Sequence, residues 1–406
     1  MKAAIAGAGE EALHTIRKAH EYGLKVLALD GNPEAAGLRE ADEALVVDIS
    51  NEEAVLRALG GAGVDFLLTA PIGRYLTTTG AANDALGLPG ISREMAEVCT
   101  DKFRFHQRLW ENGLRQCRCY GVEENRITDA DGRESELSGA GGLSAREWEL
   151  SFPAILKPRY GSGSRGIHMI SGPGDLEGAL RQVFGEPYVL EECVAGPEYG
   201  VDAAVTREGF WMILLRLKEN TPPPARQAVG YFSVPPSDPF YGKARDYMRE
   251  AAVCLGLEEC LIHADIIRGE NGPFAIELSA RPSGHNLHNL FTPLCTGVDM
   301  AEQYIRYRMG LSHSFRPRQT RSMMIHYFDM EGRVRRAPER EQVQRNLKAR
   351  LAAWECRIRA GQVLGPVSDG HSLMGRGYFV LEGGDAAFLR EQGEIVKGLF
   401  GGRTWL

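Results

Sequence analysis

The chain has 406 residues, of which 43% are hydrophobic and 25% charged, and its 54 acidic side chains outnumber the 47 basic ones. This is ordinary globular composition, which excludes disordered and fibrous proteins, and the length predicts about two to three domains. A net charge of −7 creates no global attraction for nucleic acid or anionic membranes, so we expect neither as a partner.

Two features bear on the compartment. The N-terminal run MKAAIAGAGEEAL meets two glutamates too early for a signal peptide, and no apolar run approaches the roughly 18 residues that a membrane helix needs. The eight cysteines are scattered without CxxC pairs, which favours free thiols in a reducing compartment. We therefore predict a cytoplasmic protein.

The first 98 residues alternate apolar runs with helical periodicity. The strand KAAIAGAG is followed by a helix with apolar positions at Leu13, Ile16 and Ala19, and then by the strands KVLALD and EALVVD. Ser50 with Glu53 three residues later is typical of a capping box that opens a further helix. This order predicts a doubly wound, Rossmann-like parallel sheet.

The middle of the chain predicts a mixture of helices and antiparallel strands. A helix is expected from Asp101 to Gly113, and FPAILKPRYGSGSRGIHMI predicts two strands joined by a glycine loop. A helix (GPGDLEGALRQVFG) and a strand (PYVLEECV) follow. Further on, VDAAVTREGFWMILLRL predicts a hairpin, residues 240–256 a helix, and LIHADIIR and PFAIELSAR two more strands.

The last 95 residues change character, with arginine-rich helix signals from 333 to 359. Interspersed glutamates favour a solvated helix face over a nucleic-acid patch. We predict an α/β protein with a Rossmann-like domain at 1–98, a second domain at 99–310 that contains a smaller subdomain at about 118–190, and an α+β extension at 311–406.

Two glycine loops compete as nucleotide sites. The first, Gly7 to Ala12, follows the first strand where a dinucleotide loop belongs, and Asp30 stands where a ribose-binding acid would. Glu10 and Glu11 oppose a pyrophosphate, however, because the helix N-terminus offers only about half a positive charge. A tight turn without nucleotide is the favoured interpretation, and an NAD(P)-binding oxidoreductase stays open.

The second loop, Tyr160 to Gly166, lies between two strands, so it cannot be a Rossmann turn. Lys157 precedes the glycines, whereas a Walker loop needs its lysine after them. The arrangement fits a hairpin that covers phosphates with backbone N–H groups while Lys157 reaches them from the strand. The alternative is a simple Gly/Ser turn.

Two predicted strands further along carry carboxylates. His263-x-Asp265 and Glu277-x-Ser279-x-Arg281 have the period of two that puts each set on one face of a strand. Asp265 and Glu277 could converge on a hard cation beside phosphates, since Mg²⁺ prefers carboxylate and phosphate oxygens. A solvated pair is the alternative, but the strand PFAIELSAR is otherwise apolar and burying an unpaired carboxylate is costly.

In motif order, residues 1–310 resemble the ATP-grasp superfamily, which includes biotin carboxylase, carbamoyl phosphate synthetase, purine-pathway ligases and amino-acid ligases. The resemblance is carried by Asp101-Lys102, by Ala154 to Ile167, by Val189 to Val194 and by residues 263–281. It is nearest to the amino-acid and peptide-forming carboxylate–amine ligases. It implies a Rossmann-like domain, an α+β lid subdomain, an antiparallel nucleotide domain and a C-terminal extension.

The resemblance also implies ATP and Mg²⁺ (or Mn²⁺) as cofactors. It assigns contacts with ATP to Lys102, Lys157, Gly161, Ser162, Gly163, Ser164, Gly166, Glu191, Glu192, Val194 and Glu198. The metal would be held by Asp265, Glu277 and Ser279, and Arg281 with Lys157 would stabilise the transferring group. Ser279 replaces the asparagine of the usual Glu-x-Asn-x-Arg motif, and its hydroxyl still offers an oxygen ligand.

The implied reaction is phosphorylation of a carboxylate by ATP, followed by attack of an amine on the acyl phosphate and release of ADP and phosphate. The substrates would be a small-molecule carboxylate and amine, and a homodimer is left open. Loops near the expected acceptor pocket supply the candidate substrate residues Arg74, Arg226, Ser283, His285 and His288. The alternatives are a purine-pathway-like ligase or carboxylase acting on a phosphorylated substrate, an NAD(P)-binding oxidoreductase, and a non-catalytic nucleotide-binding regulator.

Overall fold

A computed structural model describes the chain apart from residues 116, 125, 137–148, 162–165, 223–225, 368–369 and 402–406. The described strands form three main sheets and one small two-stranded sheet. No helix in the described ranges is long and apolar enough to cross a membrane. All eight cysteines are described, and all are free thiols.

The N-terminal unit contains a parallel sheet with strand order β3-β2-β1-β4. Its elements are β1 (Lys2–Ala6), α1 (Leu13–Glu21), β2 (Lys25–Asp30), α2 (Ala36–Glu40), β3 (Glu43–Val46), α3 (Glu52–Leu59), β4 (Phe66–Leu68), α4 (Leu76–Leu86) and α5 (Arg93–Thr100). The apolar residues of β1 and β2 are buried, as a parallel sheet covered on both faces requires. The predicted Rossmann-like arrangement is confirmed.

The predicted capping box at Ser50 is wrong. The Ser50 hydroxyl donates to Asp48 at 2.6 Å, so it is not available to cap a helix. Asn51 caps α3 instead, with its side chain accepting the Ala54 N–H at 3.0 Å.

The next unit is an antiparallel sheet with strand order β7-β6-β5-β10-β8-β9. Its elements, with the helix before it, are α6 (Lys102–Glu111), β5 (Cys119–Glu123), β6 (Arg126–Asp129), β7 (Glu134–Glu136), β8 (Ala154–Pro158), β9 (His168–Ile170), α7 (Pro173–Gln182) and β10 (Tyr188–Glu192). β8 and β9 pair antiparallel, which confirms the predicted hairpin around the second glycine loop. Of that loop, residues 162–165 lie outside the described residues.

The central sheet has eight antiparallel strands in the order β15-β14-β11-β12-β13-β16-β20-β18. Its first part consists of β11 (Glu198–Thr206), β12 (Gly209–Asn220), β13 (Ala228–Val234), α8 (Pro239–Cys254), β14 (Cys260–Gly269), β15 (Gly272–Ser279), α9 (Thr292–Thr296) and α10 (Met300–Arg308). One face of these strands packs on α8, where Val201 and Ile262 meet Phe240 and Met248 in a buried cluster. The other face is the candidate site.

The C-terminal strands continue the central sheet beyond residue 310. This part contains β16 (Met323–Tyr327), β17 (Gly332–Arg333), α11 (Arg340–Arg345), β18 (Arg350–Cys356), β19 (Val363–Leu364), α12 (Gly370–Met374), β20 (Gly377–Glu382) and α13 (Ala386–Gly398). The helix signals from 333 to 359 are therefore mostly wrong. Residues 350–356 pair with β20 instead, because tertiary strand pairing outweighs local helix propensity.

Candidate active site

Alternate residues of β11, β12, β14 and β15 put polar side chains on the face of the central sheet that lies opposite α8. Residues directly opposite each other in an antiparallel pair share a face. The β14–β15 ladder pairs Asp265 with Glu277 and His263 with Ser279, and Gly200 of β11 pairs with both Asp265 and Arg216. We call this surface the polar face; it comprises Glu198, Asp202, Arg216, Lys218, Asn220, His263, Asp265, Glu277 and Ser279.

The carboxylates of Asp265 and Glu277 are brought together as cross-strand neighbours. Asp265 Oδ2 accepts the Lys218 ammonium at 2.7 Å, whereas its buried Oδ1 has no hydrogen-bond partner among the described residues. Burial opposes ionisation of Asp265, but Lys218 and His263 outweigh it and lower the pKa of the carboxyl. A buried carboxylate oxygen without a partner, beside a second carboxylate, fits a divalent cation.

Within the described ranges, no group of three or more His, Cys, Asp or Glu side chains is arranged to hold a metal ion. A cation at Asp265 and Glu277 would therefore need oxygen ligands from a bound molecule, and phosphate groups supply such oxygens. Ser279 lies two residues further along β15, opposite His263.

The two candidate phosphate lysines are Lys157 on β8 and Lys102 at the start of α6. Asp101 caps α6 and Lys102 is its first residue, and the Lys102 ammonium donates to the Gly161 carbonyl at 2.7 Å. Burial lowers the pKa of Lys102, and the Glu277 carboxylate opposes that shift. Lys102 therefore lies within electrostatic range of the polar face while it contacts the glycine hairpin.

The glycine hairpin needs its glycines at both ends. Gly161 has φ +109° and Gly166 has φ +69°, conformations that favour glycine. A Cβ on Gly166 would also lie 3.0 Å from both Pro158 Cγ and Tyr188 Oη. Ser162, Gly163 and Ser164 lie outside the described residues.

Glu191 is the centre of a buried charge cluster behind the hairpin. Its carboxylate contacts the Lys157 ammonium, lies 2.9 Å from Arg115 Nη2 and lies 3.1 Å from His106 Nε2. Burial raises the pKa of Glu191, but Lys157, His106 and Arg115 outweigh it and hold that pKa well below its usual range. Burial, and then Arg115, lower the pKa of His106 to about 3, so its ring is neutral.

Glu192 and Val194, two further candidate ATP contacts, lie at the end of β10 and just after it. The Glu192 carboxylate points away from Glu191 and accepts the N–H groups of Arg118 and Ser151 at 2.9 and 3.0 Å. Val194 lies beside Gly269 of β14, where a Cβ would be 3.1 Å from Val194 Cγ1.

Glu198 lies at the start of β11, and two hydrogen-bond donors and a more distant ammonium surround its carboxylate. Its carboxylate contacts the Arg226 guanidinium, accepts Asn220 Nδ2 at 2.9 Å and lies 3.6 Å from Lys218 Nζ. Burial lowers the pKa of Lys218, but Asp265 and its other neighbours outweigh it and raise that pKa. Lys218 thus joins Glu198, a candidate ATP contact, to the candidate metal residue Asp265.

Deeper in the polar face, Arg216 and Asp202 form an ion pair with no solvent exposure. Arg216 Nη2 donates to Asp202 Oδ1 at 3.0 Å, and the Thr292 hydroxyl donates to the same carboxylate at 2.5 Å. Gly200 faces Arg216, and a Cβ there would lie 3.2 Å from Arg216 Nη2. The missing side chain at Gly200 therefore leaves room for the guanidinium.

Arg281 follows β15 and lies among carboxylates. Its Nη1 donates to the Pro282 carbonyl at 2.8 Å. Burial lowers the pKa of Arg281, and Glu277, Glu11 and Asp265 oppose that shift in this order. Two of these carboxylates belong to the polar face, and the third comes from the N-terminal unit.

The five candidate substrate residues lie in different surroundings. The Arg74 guanidinium lies 4.0 Å above the Tyr160 ring, and Arg226 contacts Glu198. The His285 carbonyl accepts the Tyr327 hydroxyl at 2.6 Å. Arg74 is therefore at the glycine hairpin, Arg226 at the Glu198 carboxylate, and His285 against the C-terminal strands.

The remaining two candidates, Ser283 and His288, are completely buried. His288 Nδ1 contacts the Ser283 carbonyl, whereas Ser283 Oγ has no hydrogen-bond partner among the described residues. Burial lowers the pKa of His288 to about 4, so the folded protein keeps this ring neutral.

This buried histidine predicts a loss of stability in mild acid. An unfolded histidine titrates near 6.5, so the stabilisation is complete above that pH and is lost progressively as the pH falls towards 4. We expect His288→Gln to remove about 2 kcal/mol of the stability change between pH 7 and pH 5. Urea unfolding of both proteins at a series of pH values from 5 to 8 measures this change in the free energy of unfolding. Plots of the free energy of unfolding against pH should have equal slopes for the two proteins between pH 7 and 8. Equal slopes below pH 6.5 would contradict the assignment of His288 as a buried, neutral histidine.

In the first glycine turn, the Asp30 carboxylate that a dinucleotide ribose would need is already hydrogen-bonded to the backbone. Asp30 accepts the Ala8 N–H at 2.7 Å and the Asn32 N–H at 2.8 Å. Gly7 has φ +86°, which favours glycine, and its N–H donates to the Leu29 carbonyl at 2.9 Å. The Asp30 carboxylate therefore closes the turn, in agreement with the tight-turn interpretation.

Four important residues of this site were missed by the sequence analysis: His106, Arg115, Arg216 and Lys218. His106 had a weak signal, because it is a polar residue on the buried face of α6. Arg216 and Lys218 interrupt the otherwise apolar run WMILLRLK with the period of a strand face. Arg115 had no signal.

Comparisons with known proteins agree with this arrangement. The sequence model of the ATP-grasp domain matches residues 150–288. The uncharacterized protein y4rH of Sinorhizobium fredii (strain NBRC 101917 / NGR234) is 27% identical over 297 residues, which is 70% of this chain and 58% of that protein. The formate-dependent phosphoribosylglycinamide formyltransferase of Burkholderia vietnamiensis (strain G4 / LMG 22486) is 27% identical over 177 residues, which is 43% of this chain and 40% of that enzyme. The matched region thus spans only about half the length of these curated relatives.

The fold has counterparts over nearly the whole chain. The crystal structure of the L-amino acid ligase from Bacillus licheniformis superposes with a TM-score of 0.76 and 18% identity, covering 97% of both chains. The superposition extends over 97% of this chain, so it is not confined to residues 150–288. Residues 150–288 match the ATP-grasp domain, and the fold of nearly the whole chain is similar to that of this ligase.

Proposed function

We propose that this protein is an ATP-dependent ligase that joins a carboxylate to an amine through an acyl phosphate and releases ADP and phosphate. The observation that carries the proposal is the direct pairing of Asp265 with Glu277, with Lys102 and Arg281 both in electrostatic range of Glu277. Two paired carboxylates with two cations in electrostatic range suit a bound, metal-associated triphosphate.

In this proposal the nucleotide occupies the polar face under the glycine hairpin. Lys102 and Lys157 neutralise the phosphates, with backbone donors from the segment 161–166. The adenine edge meets Glu191, Glu192 and Val194, and the ribose hydroxyls meet Glu198. Asp265 and Glu277, with the Ser279 hydroxyl, would hold Mg²⁺ or Mn²⁺, which when bound supplies charge neutralisation at the transferring phosphoryl group.

The contribution of the protein is positioning and electrostatic stabilisation. Arg281 holds the substrate carboxylate in line with the γ-phosphoryl group and then stabilises the acyl phosphate oxygens. The amine attacks the acyl carbon, the bond from that carbon to the phosphate oxygen breaks, and the nitrogen loses a proton. The products are an amide and inorganic phosphate, and no nucleophilic side chain is needed.

A purine-pathway-like ligase acting on a phosphorylated substrate is the second candidate. It is supported by the similarity to the formate-dependent phosphoribosylglycinamide formyltransferase. An oxidoreductase is disfavoured because Asp30 already accepts the Ala8 and Asn32 N–H groups. A cytoplasmic location, a homodimer and domain boundaries near 98 and 310 remain parts of the proposal.

The ligand test is a thermal-shift comparison of Mg-ATP with NAD. Mg-ATP at about 100 times its Kd should stabilise the fold by about 2.7 kcal/mol, and NAD should have no effect. ADP release should then depend on an added carboxylate, and hydroxylamine should trap the acyl phosphate as a hydroxamate. Stabilisation by NAD alone would exclude a ligase. Binding of ATP without ADP release across a broad panel of carboxylates and amines would favour the non-catalytic regulator.

A further inference from the structure

The buried cluster around Glu191 contains one more positive charge than it neutralises. Lys157 and Arg115 both contact the Glu191 carboxylate, and their side chains are only 7% and 1% exposed. Among the described residues, neither cation forms an ion pair with another carboxylate. A buried charge without a counter-ion is costly, so the surplus cation favours an anion from outside the protein.

The geometry of His106 shows that its ring adds no charge to this cluster. Arg115 Nη1 lies 2.8 Å from His106 Nδ1, and a guanidinium can only donate hydrogen bonds. Nδ1 must therefore accept, which places the single ring proton on Nε2, 3.1 Å from the Glu191 carboxylate. The cluster thus consists of two cations, one carboxylate and one neutral ring.

The two oxygens of the Glu191 carboxylate have different partners. Oε1 contacts the Lys157 ammonium, whereas Oε2 lies 2.9 Å from Arg115 Nη2 and faces His106. Lys157 can therefore leave Oε1 while Arg115 still neutralises the carboxylate. Without Arg115, the departure of Lys157 would break the last ion pair of a buried carboxylate, which is strongly unfavourable.

Of the two cations, Arg115 is the one that is fixed in place. Its Nε donates to the Cys117 carbonyl at 3.1 Å, and its guanidinium lies 4.7 Å from the centre of the Phe274 ring. The Lys157 ammonium, by contrast, has only the Glu191 carboxylate as a polar partner among the described residues. The surplus cation is therefore Lys157, which has a flexible four-carbon stem.

We propose that Arg115 and His106 are positioning residues, which hold and neutralise Glu191 so that the Lys157 ammonium can turn from Glu191 to the phosphates of ATP. This inference rests on the ATP-dependent function proposed above. The phosphates then supply the negative charge that the cluster lacks. Neither Arg115 nor His106 needs to contact the nucleotide.

The first test compares the dissociation constant of Mg-ATP for the unmodified protein and for Arg115→Gln. Glutamine keeps a hydrogen-bond donor beside Glu191 but removes the charge, so the Kd should rise about 10- to 100-fold. Arg115→Lys keeps the charge and should bind Mg-ATP about 10-fold more tightly than Arg115→Gln. An unchanged Kd in Arg115→Gln, or equal losses in both variants, would overturn the inference.

A second substitution separates positioning from general damage to the fold. In Arg115→Gln with Glu191→Gln, the carboxylate that retains Lys157 is gone, so Mg-ATP should bind about 10-fold more tightly than to Arg115→Gln alone. General damage predicts no such recovery, because a second loss in the same buried cluster would add to the first. A double variant that binds no more tightly than Arg115→Gln would refute the positioning role.

The matched control on α6 is Arg108→Gln. The Arg108 guanidinium lies 3.4 Å from Glu94 and its side chain is 37% exposed, so the Kd for Mg-ATP should not change. Thermal melts without nucleotide establish that each variant is folded. If Arg115→Gln does not fold, Arg115→Met removes the same charge, keeps an apolar contact for Phe274 and replaces it in both comparisons.

The two proposals fail in different ways. If Mg-ATP does not stabilise the unmodified protein, the ligase function is refuted and the positioning role with it. If the unmodified protein binds Mg-ATP and Arg115→Gln binds it equally well, only the positioning role is refuted.

Discussion

Glu277→Gln is expected to reduce turnover by about a thousandfold while the protein stays folded. Glutamine has nearly the same size, so the β14–β15 pairing with Asp265 opposite position 277 should persist. The substitution removes the charge that faces Lys102 and Arg281 and leaves Asp265 as the single carboxylate for a cation. ADP release at saturating Mg-ATP and substrate measures the effect, and a thermal melt verifies the fold.

A matched control lies on the same hairpin. Glu270 is exposed in the turn between β14 and β15, away from the polar face, so Glu270→Gln should keep full activity. Titration with Mg²⁺ adds a second measurement, because Glu277→Gln should need far more metal for the remaining activity. Full activity of Glu277→Gln at ordinary Mg²⁺ concentration would remove Glu277 from the metal pair.

Most strands around this site could be predicted, because each depends on the alternation of apolar and polar residues within one short segment. The alternation in LIHADIIR and PFAIELSAR predicts two strands with one polar face each, and both strands are present. The apolar runs on both sides of the second glycine loop predict the β8–β9 hairpin, which is present. The register that sets Asp265 opposite Glu277 was beyond prediction, since it includes an irregularity between Asp265 and Ile266.

The buried partners of the site could not be predicted, because each pairing joins distant parts of the chain. Arg115 contacts Glu191 across 76 residues, and Lys218 contacts Asp265 across 47. A single sequence contains no signal for such distances, and a charged residue in an isolated segment is compatible with solvent exposure. The same reason explains residues 350–356, whose strand depends on β20 as a partner.

The two buried cations of the polar face, Arg216 and Lys218, have different roles. Arg216 neutralises Asp202, and Lys218 neutralises Asp265, so the sheet can bury carboxylates before any nucleotide or cation binds. Asp265 differs from Asp202 because only Asp265 keeps a carboxylate oxygen without a hydrogen-bond partner among the described residues. We infer that the Arg216–Asp202 pair is structural and that the Lys218–Asp265 pair belongs to the ligand site.

Asp202→Ala is therefore expected to destabilise the fold by about 3–5 kcal/mol. Arg216 would remain fully buried at the centre of the sheet without its counter-ion, and Thr292 would lose its acceptor. Urea unfolding at pH 7 measures the loss as a lower midpoint. The control is Asp246→Ala on α8, where the carboxylate pairs with exposed Arg245 and Arg249 and should contribute less than about 1 kcal/mol.

A double variant separates the buried charge from the lost packing. In Asp202→Leu with Arg216→Met, both charges are gone and the apolar side chains can fill the space, so most of the stability should return. If the double variant is as unstable as Asp202→Ala, the loss comes from packing and not from the unpaired guanidinium. A change of less than 1 kcal/mol in Asp202→Ala would mean that Arg216 finds water or another acceptor, which would contradict its assignment as a structural ion pair.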